Sequence, residues 1–383
     1  MKIGIVCYPT YGGSGVIATE LGKALAKKGH KIHFISYSQP VRLDAIGSNL
    51  YFHEVTVLDY PLFLYPPYEL ALVSKIVDVV KYHCLDILHV HYAIPHAFAA
   101  LMAKQILLTE GINIPIVTTL HGTDITLVGK DASYEPAVNY AINQSDAVTA
   151  VSQFLKDETN RLFQITKDIQ VIPNFVDFER FSKKKKEHFK IALAPNGEKI
   201  IVHTSNFRPV KRLEDVVEVF NLIRKKIPAK LLLVGDGPER TKAEALSRKL
   251  EITEDVRFLG KIEAVEEVLS IADLFLLPSE QESFGLAALE AMACQVPVIS
   301  SDAQGIPEVN IQGVTGYLSP VGDVEGMAEG ALKILGDEAT HKRFKEAAYK
   351  RAQEFDLAKI MTQYEDMYNR LYVDKECAEM KEA

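Results

Sequence analysis

Between Pro278 and Val309 the chain reads PSEQESFGLAALEAMACQVPVISSDAQGIPEV. Leu286, Leu289 and Met292 fall at helical spacing, and the Val-Pro-Val-Ile run at 296–299 reads as a buried strand. A polar loop, a helix starting near Gly285 and a strand in so short a span make one turn of a helix-covered sheet. Glu282 precedes the helix and Glu290 lies on its second turn. Helical side chains tilt toward the N-terminus, so the two carboxylates are expected to flank one ligand. Between them the leading amides, from Phe284 to Leu286, face forward with the positive end of the helix dipole, which suits hydroxyl and phosphate oxygens. Gly285 lets a ligand approach the backbone.

The same alternation runs outward in both directions. In the first half, 3–6, 32–35, 51–57, 87–90, 116–119 and 147–150 read as strands, with helical patterns over 16–28, 69–83 and 96–107. In the second half, strands at 200–204, 230–234, 256–259, 274–277 and 298–300 alternate with helices at 213–224, 238–250, 265–272 and 285–293, and 324–372 reads as consecutive helices. Pro173-Asn174 within V-I-P-N-F-V-D is a breaker between the two sets. The expectation is an α/β chain of two Rossmann-like, doubly wound domains, 1–169 and 170–356, facing across a cleft, with a last helix at about 357–373 packing back on the first.

Composition sets limits on function. A length of 383 residues accommodates two or three domains. The formal charge of −8 argues against nucleic acid as a partner. Lys183 to Lys186 form a single basic run, read as a solvated loop. Cys7, Cys84, Cys294 and Cys377 show no metal or redox spacing, so no disulfide framework is expected and a reducing cytoplasm fits. No apolar segment is long enough for stable membrane insertion.

Several strand ends carry chemistry. Pro9-Thr10-Tyr11-Gly12-Gly13-Ser14-Gly15 joins the first strand to the first helix, a place for phosphate or carboxylate. It is not G-x-G-x-x-G, which disfavours a nicotinamide enzyme. Ser205-Asn206-Phe207-Arg208-Pro209-Val210-Lys211-Arg212 opens a helix in the second half; basic residues there are unfavourable unless an anion compensates. Arg208 and Lys211 are suited to a diphosphate, a forked donor beside a point charge. Whether Lys211 or Arg212 partners Arg208 stays open. His121-Gly122-Thr123-Asp124 closes a strand. His83, His89, His91 and His96 cluster in sequence, but only His89 and His91 share a strand face and no carboxylate stands at ligand spacing, so no metal is expected. No D-x-D occurs, which leaves the metal-dependent transferase fold unsupported.

The E-x7-E segment with S-F-G-L, the glycine loop and the Arg/Lys helix start resemble glycosyltransferase family 4, the retaining transferases of GT-B fold. The resemblance implies that Glu282, Ser283 and the amides of Phe284, Gly285 and Leu286 hold a donor sugar and that Glu290 accepts both ribose hydroxyls. It places Gly13, with Ser14, against the diphosphate, Ser205 on the donor side, Gly260 and Lys261 near the base, and His121, Arg208 and Lys211 at the reacting centre. C-Y-P-x-x-G-G-S-G, Y-P-P-Y, H-V-H-Y-A-I-P-H-A and T-T-L-H-G-T-D-I-T are similar to the bacillithiol-pathway branch of the family. That similarity implies UDP-N-acetylglucosamine as donor, L-malate as acceptor and no further cofactor. Ser14, Arg42, Tyr92 and Thr119 are the candidates for the malate carboxylates. Gln295 and Gln304 stand where the family has glycine, at turns expected to have positive φ. Rival readings are a family 4 transferase with another small acceptor, a UDP-sugar epimerase that turns over donor alone, and a sensor that binds without turnover. A homo-oligomer is left open.

Overall fold

The computed structural model describes residues 1–43, 47–58, 64–182 and 187–372; the Lys183–Lys186 run lies outside them. Seven parallel strands form the first sheet: β1 (Lys2–Val6), β2 (Lys31–Ser36), β3 (Leu50–Glu54), β4 (Ile87–His91), β5 (Ile116–Leu120), β6 (Ala147–Ala150) and β7 (Ile169–Val171), in the order β3-β2-β1-β4-β5-β6-β7. Helices α1 (Gly13–Lys27), α2 (Tyr68–His83), α3 (Phe98–Thr109), α4 (Glu135–Gln144) and α5 (Gln153–Leu162) return the chain between strands. The strand order reverses beside β1, and the carboxyl ends of β1, β4 and β5 lie side by side there, where doubly wound sheets bind ligands.

The second sheet has the order β10-β9-β8-β11-β12-β13, from β8 (Lys199–Thr204), β9 (Ala229–Val234), β10 (Val256–Gly260), β11 (Leu274–Leu277), β12 (Val298–Ser301) and β13 (Gly316–Ser319). Its helices are α6 (Glu187–Leu193), α7 (Leu213–Arg224), α8 (Arg240–Lys249), α9 (Val265–Ile271), α10 (Leu286–Ala293), α11 (Val324–Leu335) and α12 (Glu338–Ala352). Val216, Phe220, Leu231, Leu233, Leu276, Ile299 and Phe344 are buried together between sheet and helices. Asp323 and Asp337 cap α11 and α12 by accepting from the amides of Gly326 (2.9 Å) and Thr340 (2.7 Å), which satisfies helix-end donors that packing leaves open.

Contacts divide the chain into Met1–Pro173 with the chain from Ile360, and Asn174–Lys359. The first boundary lies a little past the expected 169 because β7 completes the first sheet. The last helix, α13 (Leu357–Leu371), turns Ile360, Met361, Tyr364, Met367 and Tyr368 inward at helical spacing. Tyr368 Oη lies 2.7 Å from Nδ1 of the buried His89 on β4, so this helix is part of the first unit's core. One expectation needs correction: residues 51–57 form a strand only as far as Glu54. The short β7 and β13 have no counterpart in the sequence reading, nor do α4, α5 and α6. No described helix is long and apolar enough to cross a membrane.

Candidate active site

In the second unit the chemistry gathers at the carboxyl ends of neighbouring strands. β8 and β11 are adjacent, so the loops after them meet, and the Glu280 amide donates to the Val210 carbonyl at 2.8 Å. That contact carries Lys211 to Glu282: Nζ to Oε2 is 2.5 Å. Glu282, in the loop after β11, is held from both sides. Its amide donates to Gln304 Oε1 (2.9 Å), and the Gly305 amide donates to the Glu282 carbonyl (3.0 Å). A Cβ on Gly305 would stand 2.1 Å from the Ser283 carbonyl oxygen, so no larger residue fits without moving the loop.

Gly285, at φ 96°, sets the start of α10, and no side chain caps that helix. Its first amides, with Leu286 leading, are therefore left without intrahelical acceptors. The Phe284 ring is buried against Phe355, with ring centroids 5.5 Å apart, so this residue offers its backbone and not its side chain. Glu290 is buried on the second turn.

Arg208 is exposed, and its guanidinium makes no ion pair or hydrogen bond among the described residues. Arg212 is committed elsewhere: Nε and Nη2 grip Asp215 at 2.6 and 3.2 Å. Ser205 Oγ lies 2.8 Å from His203 Nε2 and accepts the Phe207 amide, shaping the loop. Gly260, at φ 69°, ends β10 and accepts the Gly235 amide (2.8 Å), with exposed Lys261 following.

In the first unit a second set stands at the ends of β1, β4 and β5. α1 begins at Gly13, and Tyr92 O–H donates to Ser14 Oγ at 2.7 Å. Tyr92 has φ 85°, which turns its ring from the end of β4 toward the glycine loop. Its ring lies 5.2 Å from that of His121, whose Nε2 is 2.8 Å from His91 Nδ1. Burial first, then nearby His89 and His96, hold the His121 imidazole at a pKa of about 3, so it is neutral at pH 7.

Asp124 carries weight that the sequence reading did not assign to it. Its buried carboxylate accepts the amides of Ala93 (2.9 Å), Gly122 (3.0 Å) and His121 (3.3 Å), tying the loops after β4 and β5 together. Burial raises its pKa to about 6 against those hydrogen bonds.

Residues 11–180 match the family model described as Glycosyltransferase Family 4, and residues 184–351 match the one described as Glycosyl transferases group 1. The N-acetyl-alpha-D-glucosaminyl L-malate synthase of Bacillus anthracis is 52% identical over 373 residues, covering 96% of both chains. The chain belongs to glycosyltransferase family 4. An uncharacterised glycosyltransferase of Methanocaldococcus jannaschii is 28% identical over 88% of this chain and 90% of its own. Among solved structures, Anabaena HepE in complex with UDP and glucose superposes at a TM-score of 0.81 with 19% identity, covering 96% of this chain and 99% of that one. Sucrose-phosphate synthase from Thermosynechococcus elongatus gives 0.79 with 23% identity over 97% and 98%. At those identities the likeness speaks to the fold: this family 4 chain has the GT-B pair of parallel-sheet, Rossmann-like units.

Measured against the expected family 4 residues, Lys211 meets Glu282 whereas Arg212 is turned to Asp215. Ser14, Tyr92 and His121 stand together. Thr119 does not join them. It is fully buried in β5, with Oγ1 at 2.7 Å from both His89 Nε2 and Thr149 Oγ1, so its hydroxyl is spent inside the sheet. Arg42, at φ 65°, lies in the loop after β2, its carbonyl accepting from Lys23 Nζ at 3.1 Å. The histidine run is structural at His89, where both ring nitrogens are taken, and at His96, whose Nδ1 lies 2.6 Å from the His91 carbonyl. Gln295 and Gln304 have φ of 60° and 53°, the left-handed turns expected of them. Around Tyr92 stands an aromatic group missed in the sequence: Tyr8 lies 5.4 Å from Tyr92 and 4.5 Å from His96, and Tyr37 lies 5.9 Å from Tyr68. The Y-P-P-Y motif containing Tyr68 was the available signal.

Proposed function

We propose that this protein transfers N-acetylglucosamine from UDP-N-acetylglucosamine to the hydroxyl of L-malate, with retention of configuration and without a divalent metal, in the cytoplasm. One observation carries the reading: 52% identity across nearly the whole length of an N-acetyl-alpha-D-glucosaminyl L-malate synthase. The donor half belongs to the second unit. Glu290 takes the ribose hydroxyls, Glu282 and the amides at the start of α10 take the sugar, and Gly260 with Lys261 borders the base. Arg208 and Lys211 take the diphosphate. The pairing of Lys211 with Glu282 supports this division, because an ammonium that neutralises a carboxylate in the free protein is available to a diphosphate once sugar hydroxyls engage Glu282.

The acceptor half belongs to the first unit, where the hydroxyls of Ser14 and Tyr92 are donors for malate carboxylates and Arg42 a further cation. Neutral His121 serves at the reacting centre as a hydrogen-bond partner. No group is placed as a covalent nucleophile. The malate hydroxyl attacks C1 from the face that the diphosphate leaves, the C1–O bond to UDP breaks, and the malate proton passes to a leaving phosphate oxygen. Arg208, Lys211 and the α10 amides stabilise the charge that develops there.

The test is UDP release from UDP-N-acetylglucosamine. Release is expected to require L-malate, to persist in chelator and to give a product with α-anomeric coupling by NMR. Turnover of donor without acceptor would favour an epimerase, and a β-linked product or loss of activity in chelator would overturn the mechanism.

A further inference from the structure

A second histidine group lies on the opposite flank of the first sheet, away from the ends of β4 and β5. In the parallel pairing of β2 with the edge strand β3, His33 stands opposite Tyr51 and Ile35 opposite His53. Tyr51 and His53 are two apart, so His33, Tyr51 and His53 share one sheet face. α2 ends over that face at His83. The ring centroids are 5.2 Å apart for His33–His53, 4.5 Å for His33–His83 and 4.9 Å for His53–His83. One ring nitrogen from each lies within 4.8 Å of the other two.

The arrangement is poorly explained as a packing cluster. Among these three rings a single hydrogen bond is made, His33 Nδ1 to His53 Nε2 at 3.0 Å, and the His83 ring makes none among the described residues. Three imidazoles are thus turned toward one another with one hydrogen bond among them. A neutral imidazole offers one ring nitrogen lone pair to a metal, and one such nitrogen from each of the three faces the same space. Tetrahedral coordination with metal–nitrogen bonds near 2 Å requires ligand nitrogens about 3.3 Å apart. The closest pair needs a slight opening, and the widest spacing closes by rotation of the half-buried His53 and His83.

We propose that His33, His53 and His83 form a tri-histidine site for a zinc-class divalent cation that fastens edge strand β3 to β2 and to the end of α2. Imidazole donors select zinc-class over calcium- or magnesium-class ions. Water fills the fourth position, since His53 and His83 are half-exposed. Asp78 on α2 is the one carboxylate acting electrostatically on both His53 and His83, whereas Lys2, Lys31 and Lys75 act against a cation. The site is independent of the transferase reading, because none of its residues belongs to the donor or acceptor groups.

Untagged, chelator-stripped full-length protein is titrated with zinc by calorimetry and with cobalt(II) by visible absorption. One ion per chain is expected, with the intense bands of tetrahedral cobalt and a zinc-dependent rise of a few degrees in the unfolding midpoint. His53→Gln and His83→Gln are each expected to weaken binding by more than about tenfold, with malate-dependent turnover retained; the exposed His188→Gln binds as the parent does. Absence of saturable binding, weak octahedral cobalt bands, or affinity in the His53 and His83 variants equal to that of the parent refutes the site. The cobalt spectrum of the unsubstituted protein decides the matter even if a variant fails to fold.

Discussion

Lys211 Nζ sits 2.5 Å from Glu282 Oε2, joining the loop after β8 to the loop after β11. Both side chains are about one-fifth exposed, so the pair adds on the order of 1 kcal/mol or less to stability. Its importance lies in what each charge is kept ready for. Lys211→Ala is expected to lower kcat by about 100-fold, the usual cost of removing one stabiliser of developing charge. Arg212→Ala, which strands Asp215, is expected to lower the unfolding midpoint while kcat changes by less than about threefold. Comparable kcat losses in the two variants would show that the basic pair acts as one unit.

The two glutamates separate by ligand. Glu290→Ala is expected to weaken UDP itself, whereas Glu282→Ala weakens UDP-N-acetylglucosamine more than UDP. Losing a hydrogen bond to a charged group corresponds to about tenfold or more in Kd. Calorimetry with both ligands measures it, and equal losses for UDP and donor in the Glu282 variant would contradict a sugar-directed role.

Much of this was readable in the chain. Strand ends followed by glycine, Ser-Asn-Phe-Arg or His-Gly-Thr-Asp fix positions along the carboxyl edge, and the eight-residue spacing of Glu282 and Glu290 places both at one helix start. Thr119 was not readable because β5 is buried on both faces, so no alternation of polar and apolar residues tells which way a hydroxyl points. β7 and β13 are three and four residues long, too short for a periodic signal. His33, His53 and His83 come from three elements, and only the register of β2 on β3 unites them.

Acid should unfold the first unit. Burial lowers His89 and His121 to about 3 and His96 to about 4, so from pH 6.5 downward the unfolded chain binds protons that the folded one refuses. Stability present above pH 6.5 is lost on acidification, by about 2 kcal/mol at pH 5 for one such histidine. Asp124 works in the other sense: its pKa of about 6 means that its burial cost is relieved below that pH, offsetting part of the loss. The unfolding midpoint is expected to fall between pH 7 and pH 5, and a flat profile would show that the histidines are reached by water.

Tyr368→Phe deletes the hydroxyl that meets His89 Nδ1 and leaves a buried ring nitrogen unpaired. A loss of about 1–3 kcal/mol is expected in denaturant unfolding of the first unit. UDP affinity should be unchanged, since the proposed nucleotide contacts lie in the second unit.

The same tyrosine has a consequence for synthesis on the ribosome. The second unit is one continuous stretch, Asn174–Lys359, while the first needs the chain from Ile360 to close its core. Vectorial translation therefore delivers every residue of the second unit before the first can be finished. The nascent sheet of β1 to β7 must wait, with His89 lacking its partner, until α13 emerges.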